Sequence, residues 1–210
     1  MRELRSPIYL IINYSSRDRD AALSLLDAGL AGGVGMIQFR AKQPLAALDL
    51  DCLATMLERA RAADVALVVN DRVDLARTAG ADGVHVGLED ASVAAARGAL
   101  GPNAIVGATT PTPELALAAE RDGASYVAVG SVHPSPTRPD KPVVGVERVR
   151  AVAGVVRVPV CAIGGITAAR VPELLAAGAG LLCVISAVTE APEPTEVVRE
   201  LVAACRPRGR

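Results

Sequence analysis

The chain alternates between short apolar runs rich in β-branched residues and longer runs rich in alanine and leucine. The short runs predict eight strands, at residues 7–12, 34–40, 65–70, 82–86, 104–108, 125–129, 158–163 and 180–185. The longer runs show helical spacing of apolar residues and predict a helix after each strand. These helices are predicted at residues 18–31, 45–63, 73–79, 91–100, 113–121, 146–153, 168–177 and 195–205.

Eight strand–helix pairs with short links favour an α/β fold, a single (β/α)8 or TIM barrel that occupies residues 1–210. Strands such as residues 65–70 are almost continuously apolar, as expected when both faces of a strand are covered. An open doubly wound sheet is the alternative, but the first strand leads into Asn13-Tyr14-Ser15 and not into a GxGxxG loop. No change of composition marks a second domain, and residues 206–210 are expected to form a frayed, solvated tail.

Composition narrows the class of protein. Apolar residues make up 51% of the chain, which predicts a globular fold. The net charge of -1 does not attract polyanions through the overall field of the protein, and 2% aromatic residues do not supply stacking platforms for single-stranded nucleic acid. We therefore expect no nucleic-acid partner.

The same sequence predicts the cellular environment. No apolar run reaches the ~18 residues of a transmembrane span, and residues 1–5 lack the apolar stretch of a signal peptide. The four cysteines show neither CxxC nor metal-finger spacing, and Cys161 and Cys183 lie in apolar runs, where a free thiol packs as a small hydrophobe rather than acting in catalysis or metal binding. We expect a soluble, reduced, cytoplasmic protein with no membrane partner.

Polar residues at the predicted carboxyl ends of the strands are the candidates for chemistry, because active sites of such barrels lie at that end. In the second strand, alternation places Gln38 and Arg40 on one face and Phe39 on the other. If Phe39 packs against helices, Gln38 and Arg40 face the barrel mouth. Arg40 and Lys42 then place two cations at one rim, suited to phosphate oxygens. The alternative is a solvated basic loop.

Two carboxylates follow neighbouring strands. Asp71 follows the third strand directly after Asn70, and Asp90 follows the fourth. A hard cation such as magnesium (Mg²⁺) takes one or two carboxylates together with substrate phosphates. The alternative is that both residues are N-caps of the helices that follow. His85, inside the fourth strand, is interpreted as a hydrogen-bonded core residue rather than a catalyst.

The later strands end in hydroxyl groups and glycines. Thr109 ends the fifth strand, and the loop after the sixth carries Ser135, Thr137 and Arg138, which suit an anionic ligand unless the segment is a plain long loop. The seventh strand ends in a Gly-Gly turn at residues 164 and 165, and the eighth ends in Ile185-Ser186. Backbone N–H groups there suit a phosphate, whereas a tight turn required only for packing is the alternative. Together these residues predict two anion sites on one rim, which fit a diphosphate with Mg²⁺ facing a monophosphate.

At these positions the chain resembles the thiamine-phosphate synthase family, from about Pro7 to Ala187. The matching motifs are Gln38-Phe39-Arg40-Ala41-Lys42, Asn70-Asp71, the Asp-Gly-Val-His-Val-Gly-Leu-Glu-Asp segment at residues 82–90, Ser135-Pro136-Thr137-Arg138, and Ile-Gly-Gly-Ile at residues 163–166. The Gly-Gly turn is weakly specific, whereas the Asn-Asp and His-x-Gly-x-x-Asp stretches together are strongly specific.

The resemblance implies a transferase reaction. A hydroxymethylpyrimidine diphosphate loses diphosphate, and the ring nitrogen of a thiazole monophosphate captures the resulting cation to give thiamine phosphate. The implied metal ligands of Mg²⁺ are Asp71 and Asp90, and the implied catalytic cations are Arg40, Lys42 and Arg138. The implied contacts with the small-molecule substrates are made by Gln38, Arg40, Lys42, Asn70, Thr109, Ser135, Thr137, Arg138, Gly165, Ile185 and Ser186.

Three departures from the family pattern are present: Thr109 replaces a usual serine, Arg138 replaces a lysine, and Ala41 replaces a glutamate. Two alternative functions follow from the same barrel. A thiazole tautomerase would transfer only a proton and need no diphosphate site, and a non-catalytic protein would bind a phosphorylated ligand. Retention of Arg40, Lys42, Asp71 and Asp90 favours the synthase.

Overall fold

The computed structural model describes residues 4–137, 139–140 and 142–206. Eight parallel strands form a closed barrel in chain order, each paired with its sequence neighbours, and β1 pairs with β8. The strands are β1 (Ile8–Tyr14), β2 (Met36–Ala41), β3 (Ala66–Asn70), β4 (Gly83–Val86), β5 (Ile105–Thr109), β6 (Tyr126–Gly130), β7 (Val160–Ile163) and β8 (Ala179–Val184). The predicted TIM barrel is therefore confirmed.

Helices connect the strands and cover the outside of the barrel. They are α1 (Arg19–Gly32), α2 (Ala47–Ala62), α3 (Val73–Ala79), α4 (Val93–Leu100), α5 (Pro113–Arg121), α6 (Gly145–Ala153), α7 (Val171–Ala176), α8 (Ser186–Thr189) and α9 (Pro194–Ala204). Two 3-10 turns, Ser16–Asp18 and Ala168–Arg170, precede α1 and α7.

Most differences from the predicted elements are shifts of one or two residues at their ends. The helix predicted at residues 168–177 instead begins as a 3-10 turn and becomes α-helical at Val171, next to Pro172, which has no N–H to donate. The sequence did not predict α8, because a four-residue helix is too short to show helical periodicity. Of the predicted tail, residue 206 is described, and the remainder lies outside the described residues.

Strand alternation divides the core into two layers. One layer, between the barrel and its helices, contains Phe39, whose ring lies 4.9 Å from that of Tyr14. The other fills the barrel interior and contains Tyr9 and Tyr126. Phe39 therefore packs outward, and Gln38 is buried on the inward side, as the alternation predicts.

Two of the four cysteines, Cys161 and Cys183, are buried as the sequence predicts. Cys161 and Cys183 are free and buried inside the barrel, Cys52 is buried, and Cys205 is half-buried. Burial raises the pKa of the Cys183 thiol, which keeps it protonated at neutral pH. Among the described segments, no helix is long and apolar enough to cross a membrane.

Candidate active site

Asp71 is held at the carboxyl end of β3 by its backbone. Its φ of 61° lies in the left-handed region, which Asp and Asn tolerate better than most residues. Its N–H donates to the carbonyl of His85 at 2.8 Å, which ties the residue to β4. Asp90 is held in the loop after β4, where its Oδ2 accepts the N–H of Gly87 at 2.7 Å. Both carboxyl groups therefore belong to the same rim of the barrel.

The two carboxyl groups lie close enough for Asp90 to act on the pKa of Asp71 through a hydrogen bond and through its charge. Burial, followed by the hydrogen bond and charge of Asp90, raises the pKa of Asp71 to about 6, while the Asn70 side chain and the Arg40 charge oppose the rise. One rim position thus gathers four predicted site residues: Arg40, Asn70, Asp71 and Asp90.

The N-cap interpretation of these carboxylates is wrong. Arg72 precedes α3 and no side chain caps that helix. The cap of α4 is Ser92, whose hydroxyl accepts the N–H of Ala95 at 3.2 Å. Helix capping therefore does not explain why Asp71 and Asp90 meet.

This donor set fits a cation that is shared with a ligand. Within residues 4–137, 139–140 and 142–206, no group of three or more His, Cys, Asp or Glu side chains could hold a metal by itself. Mg²⁺ does not need such a cage, because it is commonly bound by one or two carboxylates and completes its shell with water and substrate phosphates. Asp71 and Asp90, one half-buried and one exposed, match that pattern.

The predicted cations differ in how firmly they are placed. Arg40 pairs in register with Asn13 of β1, and its Nη1 donates to Asn13 Oδ1 at 2.7 Å. This bond directs the half-buried guanidinium along the rim. Lys42 is exposed just beyond β2. Arg138 lies outside the described residues.

A chain of polar side chains crosses the barrel interior below the rim. Gln38 Nε2 donates to the Tyr9 hydroxyl at 2.5 Å, and the Tyr9 and Tyr126 hydroxyls are 2.9 Å apart. His85 Nδ1 lies 2.9 Å from the Tyr126 hydroxyl, and His85 Nε2 lies 3.0 Å from Thr109 Oγ1. His85 is thus a hydrogen-bonded interior residue, as predicted. Burial lowers its pKa to about 4, so the imidazole is neutral at neutral pH.

A pocket of about 610 Å³ opens at the ends of the last four strands. The predicted site residues that line it are Thr109, Ser135, Thr137, Gly165, Ile185 and Ser186. The structure therefore brings together the second predicted set as well. Leu88, two residues before Asp90 in the sequence, also lines the pocket.

The Gly-Gly turn has a packing reason of its own. Gly164 and Gly165 have φ values of 105° and 60°, which strain any side chain. A Cβ on Gly165 would lie 2.8 Å from His133 Cβ and 3.2 Å from Arg170 Nη1. The turn is thus required by the loop that packs over it, and phosphate binding there is a further property for experiment to test.

Sequence reasoning missed several residues of this site. Arg170 and Glu190 bring charge to the pocket wall, and Arg170 donates to the carbonyl of Gly165. Tyr9 and Tyr126 belong to the interior chain. Strand alternation could have indicated that Tyr126 faces inward, but nothing in the sequence predicts that it meets Tyr9 across the barrel.

A larger concavity, about 960 Å³, lies at the opposite end of the barrel. Arg97 in its wall donates to the carbonyls of Ala104 at 2.6 Å and Gly123 at 2.8 Å, and to the Ser125 hydroxyl at 2.9 Å. These bonds tie loops together, so Arg97 is a structural residue. The chemistry-bearing side chains lie at the other end.

The fold and site define a TIM-barrel protein whose polar and ionisable side chains converge at the carboxyl ends of the strands, where barrel enzymes carry their active sites. Residues 8–188 match the family described as thiamine monophosphate synthase. The chain belongs to this family.

Curated relatives agree with this assignment. The chain is 40% identical over 198 residues to a thiamine-phosphate synthase of Roseiflexus castenholzii, covering 94% of this chain and 87% of the relative. It is 46% identical over 180 residues to the thiamine biosynthesis bifunctional protein ThiM/ThiE of Symbiobacterium thermophilum. That match covers 85% of this chain but 37% of the larger protein.

Solved structures agree as well. A thiamine phosphate pyrophosphorylase from Pyrococcus furiosus superposes with a TM-score of 0.84 at 34% identity, covering 96% of each chain. A 3-hexulose-6-phosphate synthase, with a TM-score of 0.73 and 23% identity, shares the fold. The predicted family, with its transferase function as a thiamine-phosphate synthase, is therefore confirmed.

Proposed function

We propose that this chain condenses a hydroxymethylpyrimidine diphosphate with a thiazole monophosphate, releasing diphosphate and forming thiamine phosphate, with the residues of this rim in defined roles. The observation that carries the proposal is that the Asp71 and Asp90 carboxyl groups interact beside Arg40. They lie at the end of the barrel that also carries a pocket of about 610 Å³. Two ionised carboxylates repel each other in such a contact, so a bound cation and its anionic ligand would relieve the repulsion.

The acidic pair and its neighbours form the diphosphate end. Asp71 and Asp90 would hold Mg²⁺, which when bound supplies Lewis-acid stabilisation of the leaving diphosphate. Arg40 stands close enough to influence the Asp71 carboxylate and is held in place by Asn13, so its charge is preorganised for diphosphate oxygens. Lys42, on the same rim, adds a second cation. Asn70 contributes an amide beside Asp71.

The pocket at the ends of β5 to β8 would hold the thiazole phosphate. Its hydroxyl and glycine residues, Ser135, Thr137, Gly165 and Ser186, offer neutral donors to a phosphate. Arg170 adds a cation on the same wall. Arg138, predicted as a third catalytic cation, stays a prediction. Gln38 and Thr109 both line a small cavity of about 70 Å³ in the barrel interior.

Charge stabilisation and positioning suffice for this reaction, which needs no strong base. His85 suits that requirement: both its ring nitrogens have hydrogen-bond partners, and the ring is neutral at neutral pH. A proton-transferring tautomerase would instead need a titrating group beside the thiazole ring. His85 therefore offers neither an unbonded ring nitrogen nor a pKa near neutrality for that role.

The deciding experiment incubates the protein with both substrates and Mg²⁺ and identifies the product by mass. Thiamine phosphate and diphosphate in equal amounts are expected. Isomerised thiazole phosphate without condensation would show that the chain is a tautomerase, and binding without turnover would show that it is a non-catalytic binder. The cytoplasmic location expected from the sequence stays a prediction.

A further inference from the structure

Gly107 makes the central contact of the interior chain possible. In the register of the barrel, Gly107 of β5 lies between His85 of β4 and Tyr126 of β6. A Cβ at position 107 would overlap the phenol ring and hydroxyl of Tyr126. Without that side chain, the Tyr126 ring lies across β5 and stacks on the His85 imidazole, with centroids 5.6 Å apart and planes at 25°.

One direction of the hydrogen bonds gives both buried tyrosine protons an acceptor, and it starts at Gln38. Each tyrosine hydroxyl has a single proton to donate. Because Gln38 Nε2 donates to Tyr9, the Tyr9 proton is available for Tyr126, and the Tyr126 proton is available for His85 Nδ1. A neutral imidazole that accepts at Nδ1 carries its proton on Nε2. In this direction the Nε2 proton is donated to Thr109 Oγ1, 3.0 Å away, and the Thr109 hydroxyl proton is left for another acceptor.

Both ends of the chain face space that a ligand can occupy. Thr109 lines the 610 Å³ pocket and the smaller interior cavity. Gln38 lines the interior cavity, and its Oε1 is buried with no hydrogen-bond partner in the described part of the chain. A buried, unpaired amide oxygen destabilises the ligand-free protein, and a ligand N–H would offset that cost. The chain therefore ends in a donor on one side and an acceptor on the other.

We propose that the chain Gln38–Tyr9–Tyr126–His85–Thr109 is a positioning device that fixes Thr109 as a hydrogen-bond donor and Gln38 Oε1 as an acceptor toward the substrate. The substrate class rests on the proposed function: Thr109 faces a phosphate oxygen, and Gln38 Oε1 faces an N–H group. Tyr9, Tyr126 and His85 are positioning residues that set the hydrogen-bond direction at Thr109 and Gln38. A ligand that presents an acceptor to Thr109 and a donor to Gln38 Oε1 is therefore favoured over one with the opposite pattern.

The first test reads the tautomer of His85 in the ligand-free protein and needs no activity. The protein contains two histidines, so 15N labelling of histidine resolves both rings by NMR. A His133→Gln variant assigns the two sets of signals. At neutral pH, His85 is expected to carry its proton on Nε2 alone. A proton on Nδ1 would overturn the proposal, because His85 Nε2 would then accept the Thr109 proton and Thr109 could not donate it to the substrate.

Variants then test what fixes the tautomer. Tyr126→Phe removes the bond to Nδ1 and keeps the ring, and Gly107→Ala displaces the ring. Either change is expected to give a mixture of His85 tautomers. An unchanged single tautomer in a folded Tyr126→Phe protein would show that the chain does not set the direction.

Kinetics test whether Thr109 acts as a donor to the substrate; this residue is half-buried at the rim of the barrel. Thr109→Ser keeps the donor and is expected to stay within a few-fold of wild type, whereas Thr109→Val is expected to lose on the order of 10²-fold in kcat. Tyr126→Phe is expected to add little to Thr109→Val, since both act through one bond. Losses that multiply would overturn the proposal. If the wild-type protein showed no condensation, the proposed function would be refuted. The NMR result would then decide by itself whether the hydrogen bonds run in the proposed direction.

Discussion

The carboxyl groups of Asp71 and Asp90 meet across the ends of two adjacent strands, although like charges repel. Burial and the nearby Asp90 carboxyl group raise the pKa of Asp71 to about 6, so Asp71 holds a proton more tightly than an ordinary aspartate. Binding a cation and binding a proton are therefore competing ways of neutralising the same pair. This competition gives the rim a pH dependence that can be measured.

Divalent cation binding should strengthen as the pH rises through about 6. Below the raised pKa of Asp71 the pair holds a proton that the metal must displace, and above it the pair is ionised and ready to bind. Titration with Mn²⁺ in the presence of diphosphate, followed by the electron paramagnetic resonance of free Mn²⁺, measures this dependence. Asp71→Asn should lose both the binding and its pH dependence. Affinity that is flat between pH 5 and 8 would contradict the assignment of the acidic pair.

Asp71→Asn should also stabilise the ligand-free protein at neutral pH while abolishing condensation. A carboxyl group whose folded pKa is raised makes folding less favourable above that pKa, and this penalty fades as the pH falls toward the unfolded value near 4. Asparagine removes the penalty and tolerates the φ of 61°. The variant's gain in melting temperature should be present at neutral pH and shrink toward pH 4. Asp74→Asn, an exposed aspartate paired with Arg72, serves as the control.

Arg40→Ala should lower condensation by on the order of 10²-fold or more, since it removes a preorganised cation from the diphosphate end. Arg40→Lys should recover only part of the rate, because lysine cannot keep the planar contact with Asn13. Arg199→Ala, on the outside of α9, removes an exposed arginine paired with Glu196 and should leave the rate unchanged. Steady-state kinetics with both substrates compares the three. An Arg40→Ala enzyme with wild-type rates would mean that the loop is only a solvated basic surface.

The sequence predicts the parts of this site that follow from strand alternation and strand order. Gln38 and Phe39 take opposite faces as period two requires, and Asp71 and Asp90 meet because parallel neighbours end at the same rim. The bond between Tyr9 and Tyr126 could not be predicted in this way. It joins residues 117 positions apart through the interior of a closed barrel, so it depends on the closure of the sheet and on the space left by Gly107.

Arg170 was missed for a different reason. It belongs to a 3-10 turn, and its contact with the carbonyl of Gly165 depends on the left-handed turn of the two glycines. The helix predicted at residues 168–177 gives no indication of this contact. Local backbone geometry, which periodicity does not encode, decides which way such a side chain points.

Asp90→Ala should impair the enzyme far more than His133→Ala, and this order separates a synthase from a tautomerase. His85 is engaged at both ring nitrogens, so His133 is the histidine with a free position: its Nε2 is buried without a partner among the described residues. Burial, together with the charge of Arg170, lowers the pKa of His133, so its ring is neutral at neutral pH and able to accept a proton.

A tautomerase would depend on such a group, and His133→Ala would abolish its activity. A synthase depends on charge stabilisation at the diphosphate end, so His133→Ala should keep substantial condensation, whereas Asp90→Ala and removal of Mg²⁺ by excess EDTA should each abolish it. Both variants are assayed with pyrimidine diphosphate, thiazole phosphate and Mg²⁺, with condensation and isomerisation followed separately. The reverse order of impairment would show that the acidic pair is dispensable and that proton transfer at His133 is the chemistry of this rim.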